Sequence, residues 1–153
     1  MTSPLPMTAP IPDQGGRRGA VAICPRDDGR LLVIRRAAGV IAPLTYCFPG
    51  GGLEPGESES EALVREIREE LAVAVEPLRR LWQCRTTWNV ELAWWLAQLS
   101  PTAKPIPNPA EVASVHWFTP AEMAAQPALL SSNREFLDLV LAGEISLDLA
   151  SWK

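Results

Sequence analysis

A glycine-rich turn running into a carboxylate-bearing helix constrains this chain more than any other feature. It extends from Gly51 to Val73 and reads GGLEPGESESEALVREIREELAV. From Glu59 to Leu71 there is neither Gly nor Pro, and most residues are good helix formers. Leu63, Ile67 and Leu71 recur at i, i+4, i+8 and make one apolar face. Glu66, Glu69 and Glu70, spaced i, i+3, i+4, share a different face. Like charges at that spacing weaken an isolated helix, so a purely structural helix would gain from a Lys there. Oxygen-rich clusters of this kind suit hard divalent cations such as Mg2+ or Mn2+. Ser58 or Ser60 is placed to cap the helix, and Glu57 and Glu59 near its first turn suit the dipole. Gly50, Gly51 and Gly52 permit positive φ and close backbone approach, and amides there or at the helix start can face an anion. Loop and carboxylates together are equipment for holding a metal-bound diphosphate. A solvated amphipathic helix is the plainer reading, and the register of Gly51, Glu57 and Arg65 with the carboxylates argues against it.

The stretch resembles the signature of the Nudix hydrolases. In that signature Gly is followed by five residues, Glu, seven residues, Arg-Glu, an aliphatic, any residue, Glu-Glu, any residue, Gly and an aliphatic. Gly51, Glu57, Arg65, Glu66, Ile67, Glu69, Glu70 and Val73 fall on it without a gap, and Ala72 stands where the family has Gly. The resemblance implies the Nudix fold, an α/β/α sandwich in which a mixed β-sheet lies between helices. It also implies hydrolysis of a diphosphate bond in a nucleoside diphosphate linked to another group. Glu57, Glu66, Glu69 and Glu70 are then the expected holders of Mg2+ or Mn2+. Arg65 is expected to orient a carboxylate through a bidentate pair, rather than to clamp substrate. Some family members carry a further glutamate where Glu111 stands, six residues before Trp117. Glu69 and Glu111 are both candidates for the general base, with Glu70 in the catalytic set.

The rest of the chain follows the family in element order. Residues 1–16 carry Pro4, Pro6, Pro10 and Pro12 and read as a flexible arm, leaving 17–153 as one domain. Ala20–Cys24 and Leu31–Ile34 read as strands around an Asp27-Asp28-Gly29 hairpin turn. Arg35 and Arg36 close the second strand, where the resemblance places a basic residue against substrate phosphates; a solvated strand end is the alternative. Tyr46, Cys47 and Phe48 deliver the glycine loop. Val73–Val75, Leu81–Thr87, Trp88–Leu99 and Val112–Phe118 read as further strand segments. In Trp88–Leu99 both alternating sets are largely apolar, which suits a strand covered on both faces. The six Trp are assigned mostly to packing, Trp94 and Trp117 first, with Trp88 as the candidate substrate wall. Pro101, Pro105, Pro107 and Pro109 make 100–110 a loop. Thr119–Glu122 reads as a capping box with Pro at the first helical position, and Ser131 or Ser132 as the cap of a last helix closed by Gly143. Beyond it, Trp152 is a candidate anchor for the tail.

A net charge of −4 carries no basic footprint, which excludes a nucleic-acid polymer as the expected partner and leaves a small nucleotide. Cys24, Cys47 and Cys84 form no CxxC pattern and read as buried thiols of a reducing compartment. With no stretch long enough for a membrane span and no apolar secretory core, the expected location is the cytoplasm. Monomer and homodimer are both compatible with these features.

Among substrates, the resemblance works by elimination. The ADP-ribose group often has Pro about fifteen residues past the motif, where Trp88 stands. The dinucleoside polyphosphate group has a Tyr a little further on, but Tyr46 is the only tyrosine here. The Ser-Gln-Pro-Trp run of the NADH-cleaving group is absent. A nucleoside triphosphate, oxidised or not, is favoured. The alternatives are a Nudix-like sensor that binds a nucleotide without cleaving it and a partner-binding scaffold using the proline-rich arm. Sensors of that kind usually lose motif glutamates, and this chain keeps all four.

Overall fold

The computed structural model describes residues 17–147; the expectations for residues 1–16 and for Trp152 lie outside them. The described elements run β1 (Arg17–Ile23), β2 (Leu31–Arg36), β3 (Tyr46–Cys47), β4 (Gly50–Gly52), α1 (Glu59–Leu71), β5 (Val75–Arg85), β6 (Val90–Leu99), β7 (Val112–Phe118), α2 (Pro120–Ala124) and α3 (Ser131–Leu141). They form a mixed four-stranded sheet in the order β4-β1-β6-β5 and a three-stranded sheet in the order β3-β2-β7. In the mixed sheet β1 pairs parallel with β6 and antiparallel with β4. The fold is of the α/β class, with a mixed sheet and helices on its faces.

Alternation along β1 and β2 shows why both faces need cover. Ala20, Ala22, Leu32 and Ile34 pack with Ala62, Leu63, Ile67 and Leu71 of α1. Val21, Ile23, Leu31 and Val33 point the other way, onto Trp94, Met123, Phe136 and Leu137. Near-continuous apolar runs are what strands buried on both sides require. Trp94 is fully buried and stacked on Phe136, with ring centroids 4.8 Å apart. Trp117 is half-buried beneath the Arg26 guanidinium, 4.4 Å from its ring centroid. Cys24 and Cys47 are buried free thiols that burial pushes up to about 12 and about 11; Cys84 is only half-buried.

Several local readings need correction. The turn at Asp27–Gly29 forms, with Gly29 at φ 84°, but β1 and β2 diverge into different sheets beyond the Pro25–Leu31 bridge. A single strand, β5, runs through Pro77, because it is the sheet edge and the register shifts between Pro77 and Arg79. Trp88 lies in the β5–β6 turn rather than in a strand, because Thr86 folds back to accept from the amides of Trp88 and Val90. The last helix takes Leu130 as its N-cap, with no side-chain cap bond, so neither Ser131 nor Ser132 serves. Asn133 in that first turn instead turns inward and accepts a 2.8 Å hydrogen bond from the Phe48 amide.

Candidate active site

The helix that carries the carboxylates is well terminated. Ser58 and Glu61 form a reciprocal capping box at its start. At its end Ala72 takes the left-handed conformation, φ 57° and ψ 33°, and its amide donates to the Arg68 carbonyl. Leu63, Ile67 and Leu71 are fully buried and set the helix rotation, which brings Glu66 and Glu70 to the glycine strand β4.

Oxygens of Glu66, Glu70 and Glu111 all lie within 4.8 Å of one another. Glu70 is only 6% exposed and accepts 3.2 Å from the Gly50 amide. Burial and, next, the Glu66 charge push its carboxyl up to about 8, against the pull of that amide. Burial also raises Glu66, opposed by Arg65. Close approach is why glycine stands here: a Cβ on Gly51 would overlap the Glu66 carboxylate, and one on Gly50 the Ala20 carbonyl. The three glycines form a strand paired with β1 rather than an open loop, and the Gly50 amide is committed to Glu70.

The other candidates surround this cluster. Glu57 is outside it and holds Arg65 in a bidentate pair, at 2.7 and 2.9 Å. The Arg65 hydrogen bond and the Glu54 amide hold the Glu57 carboxyl down, to about 2. Arg65 also donates to Glu66 at 3.0 Å, Glu69 at 3.3 Å and the Gly52 carbonyl at 2.9 Å. Glu69 is outside the cluster, with its side chain 50% exposed. Arg36 donates to the Ile41 carbonyl, and its charge favours ionised Glu70. Arg35 donates to the Leu44 carbonyl and lies over the Tyr46 ring. Trp88 is exposed, accepts from Arg17 through its carbonyl, and forms no hydrogen bond or ion pair with the carboxylate cluster. His116, bonded to Ser114 and stacked on Phe118, is likewise apart from it. A groove of about 630 Å³ opens on the opposite side of α1, between Val64, Arg68, Pro77 and Trp95. It holds none of the three clustered carboxylates.

A NUDIX domain profile matches residues 16–140. The chain belongs to the Nudix family. It is 32% identical over 114 residues to an uncharacterised Nudix hydrolase, orf19, of Rhodococcus erythropolis, covering 65% of this chain and 60% of that protein. It is 31% identical over 103 residues to the NAD-capped RNA hydrolase NudC of Stutzerimonas stutzeri, covering 66% and 37%. A shorter match, 43% identical over 63 residues, joins it to the nucleoside triphosphatase NudI of an Enterobacter species, covering 39% and 44%. The chain thus spans less than two thirds of the length of each of these relatives. Among solved structures, the MutT Nudix hydrolase of Burkholderia pseudomallei superposes with a TM-score of 0.67 at 26% identity, covering 81% of this chain and 97% of that one. Nudix hydrolases use divalent metals, and a cluster of three carboxylates, one of them buried and raised by burial and by the Glu66 charge, fits such an ion.

Two residues escaped sequence reading. Glu59 is buried and bound by Arg18, Arg80 and Trp95. The sequence marked it only as a first-turn acid suited to the helix dipole, although its position seven residues before Glu66 puts it on the same helical face. Asn108 bonds to the end of α1, and its only signal was the proline on either side.

Proposed function

We propose that this protein hydrolyses a diphosphate bond in a nucleoside diphosphate-linked substrate, with nucleoside triphosphates, oxidised ones included, as the favoured class. The observation that carries the reading is the convergence of Glu66, Glu70 and Glu111 beneath the glycine strand. These three would hold Mg2+ or Mn2+. When bound, the metal supplies neutralisation of phosphate oxygens and acidification of a water. Glu57 acts at one remove, by fixing Arg65, which in turn orients Glu66. Glu69, half exposed and outside the cluster, is the carboxylate available to take a proton from water. Arg36, whose charge reaches Glu70, is the arginine assigned to substrate phosphate in preference to Arg35. The NudI likeness supports a triphosphate substrate. Against the NudC likeness, this sequence has no Ser-Gln-Pro-Trp run.

The test is a Mg2+-dependent phosphate-release screen across NTPs, oxidised dNTPs, ADP-ribose, dinucleoside polyphosphates, sugar nucleotides and CoA. At least one should turn over, and EDTA should abolish it. Binding without turnover across the whole screen would replace the hydrolase reading with a sensor.

A further inference from the structure

We propose that Asn108 is a positioning residue that holds Glu111 against Glu66 and Glu70. The inference rests on the metal reading of that cluster. Helix α1 ends at Leu71, which leaves the carbonyls of its last turn without partners in the helix. The proline-rich loop supplies them. The Ile106 amide donates to the Leu71 carbonyl and the Asn108 amide to the Glu70 carbonyl, each at 2.8 Å. Asn108 Nδ2 reaches the Glu69 carbonyl at 3.4 Å.

The same residue then builds the turn that delivers Glu111. Its Oδ1 accepts from the Ala110 amide at 3.1 Å. Its carbonyl accepts from the amides of Glu111 at 2.9 Å and Val112 at 2.8 Å. Asn108 is thus bonded both to the helix that carries two of the carboxylates and to the turn that carries the third. Pro107 has its own φ fixed, and Pro109 biases Asn108 toward extended backbone. The Glu111 carbonyl, accepting from Ala37 at 3.0 Å, ties the far side of the turn to the end of β2. Replacing the side chain removes the bonds to Ala110 and Glu69 but leaves the backbone bonds, so the helix end stays docked while the turn loosens.

Mn2+ binding to the metal-free full-length protein, followed by EPR titration, tests this without reference to turnover. Asn108→Ala should weaken binding by about tenfold, the low end of what outer-shell partners contribute. Asn108→Ser, which keeps an oxygen for the Ala110 amide, should recover most of it. Glu111→Gln should weaken binding in the parent, yet add less than about twofold in the Asn108→Ala background, because coupled residues are not additive. If Glu111→Gln keeps its full effect in that background, or Asn108→Ala lowers only the thermal midpoint, the positioning role is wrong. The outcome for the metal reading is separate. If the parent binds no Mn2+, or Glu70→Gln leaves binding intact, that reading fails and takes this one with it. If Glu70→Gln removes binding while the cycle is additive, only the role of Asn108 falls.

Discussion

Glu59 and Glu70 lie about three turns apart on α1, both nearly out of solvent at 8% and 6% exposure, and their surroundings treat them in opposite ways. Burial works to raise the Glu59 carboxyl, but hydrogen bonds from Trp95 and Arg80 and the charges of Arg80 and Arg18 outweigh it, so it is held below the usual range. Its bonds come from β1, β5 and β6, at 2.8–3.1 Å. Glu70 has one backbone amide and faces two further carboxylates. A buried acid with its counter-charges built in holds a helix to a sheet. A buried acid whose neighbours are also acids is unfavourable until a cation arrives, which is the mark of a functional group.

The sharpest way to break this contrast is to neutralise each acid in turn. Glu70→Gln should lower kcat by at least about a hundredfold, because it removes a charge from the metal site. Its metal-free thermal midpoint should not fall, since below about pH 8 a neutral amide replaces a neutral carboxyl and above it a like-charge repulsion is removed. Near-normal kcat would remove Glu70 from the site. Glu59→Gln should do the reverse. It strands Arg18 and Arg80, both roughly half exposed, so the loss should be about 2 kcal/mol in urea denaturation, less than for a fully buried pair. Activity of the folded fraction should stay close to normal. A variant of parental stability would show that the network is not holding α1.

The pH dependence of the metal-free protein sharpens the comparison further. With Glu70 raised to about 8 from 4.5, the native state keeps a proton that the unfolded chain has already released. Stability should therefore fall as pH rises from about 4.5 to 8, and Glu66, also raised, adds in the same sense. Glu59 acts oppositely: its contribution is present above the unfolded carboxylate range and is lost as pH drops through its lowered folded value. Thermal midpoints taken across this range should decline toward alkaline pH. The decline should flatten in Glu70→Gln and with excess Mg2+. An equal decline in Glu70→Gln would assign it to other groups.

The smallest effect is expected at Ala72, just past the carboxylate end of α1. Its left-handed backbone strains a residue with a Cβ by about 1–2 kcal/mol. Ala72→Gly relieves that strain and loosens the unfolded chain, which opposes it by about 0.4–1 kcal/mol. Net stabilisation of up to about 1 kcal/mol should appear in chemical denaturation, with activity little changed. Destabilisation would mean that the strain at Ala72 is already relaxed.

What could be read without coordinates was local. The span of α1, a serine cap at its start and the capping box at Thr119 depend on interactions within a few residues, so near neighbours in the chain determine them. The family signature was legible for the same reason, because most of it lies on one loop and one helix. Tertiary structure decided which acids meet. Glu57 and Glu69 carry the motif's spacing yet turn to Arg65, while Glu111, forty-one residues beyond Glu70, joins the cluster because the loop at Asn108 docks on the helix end. It also decided that Glu59 is structural, since Arg80 and Trp95 reach it only after β5 and β6 pair beside β1. Spacing along a helix fixes a side chain's direction, but what it meets there depends on strands that return from far along the chain.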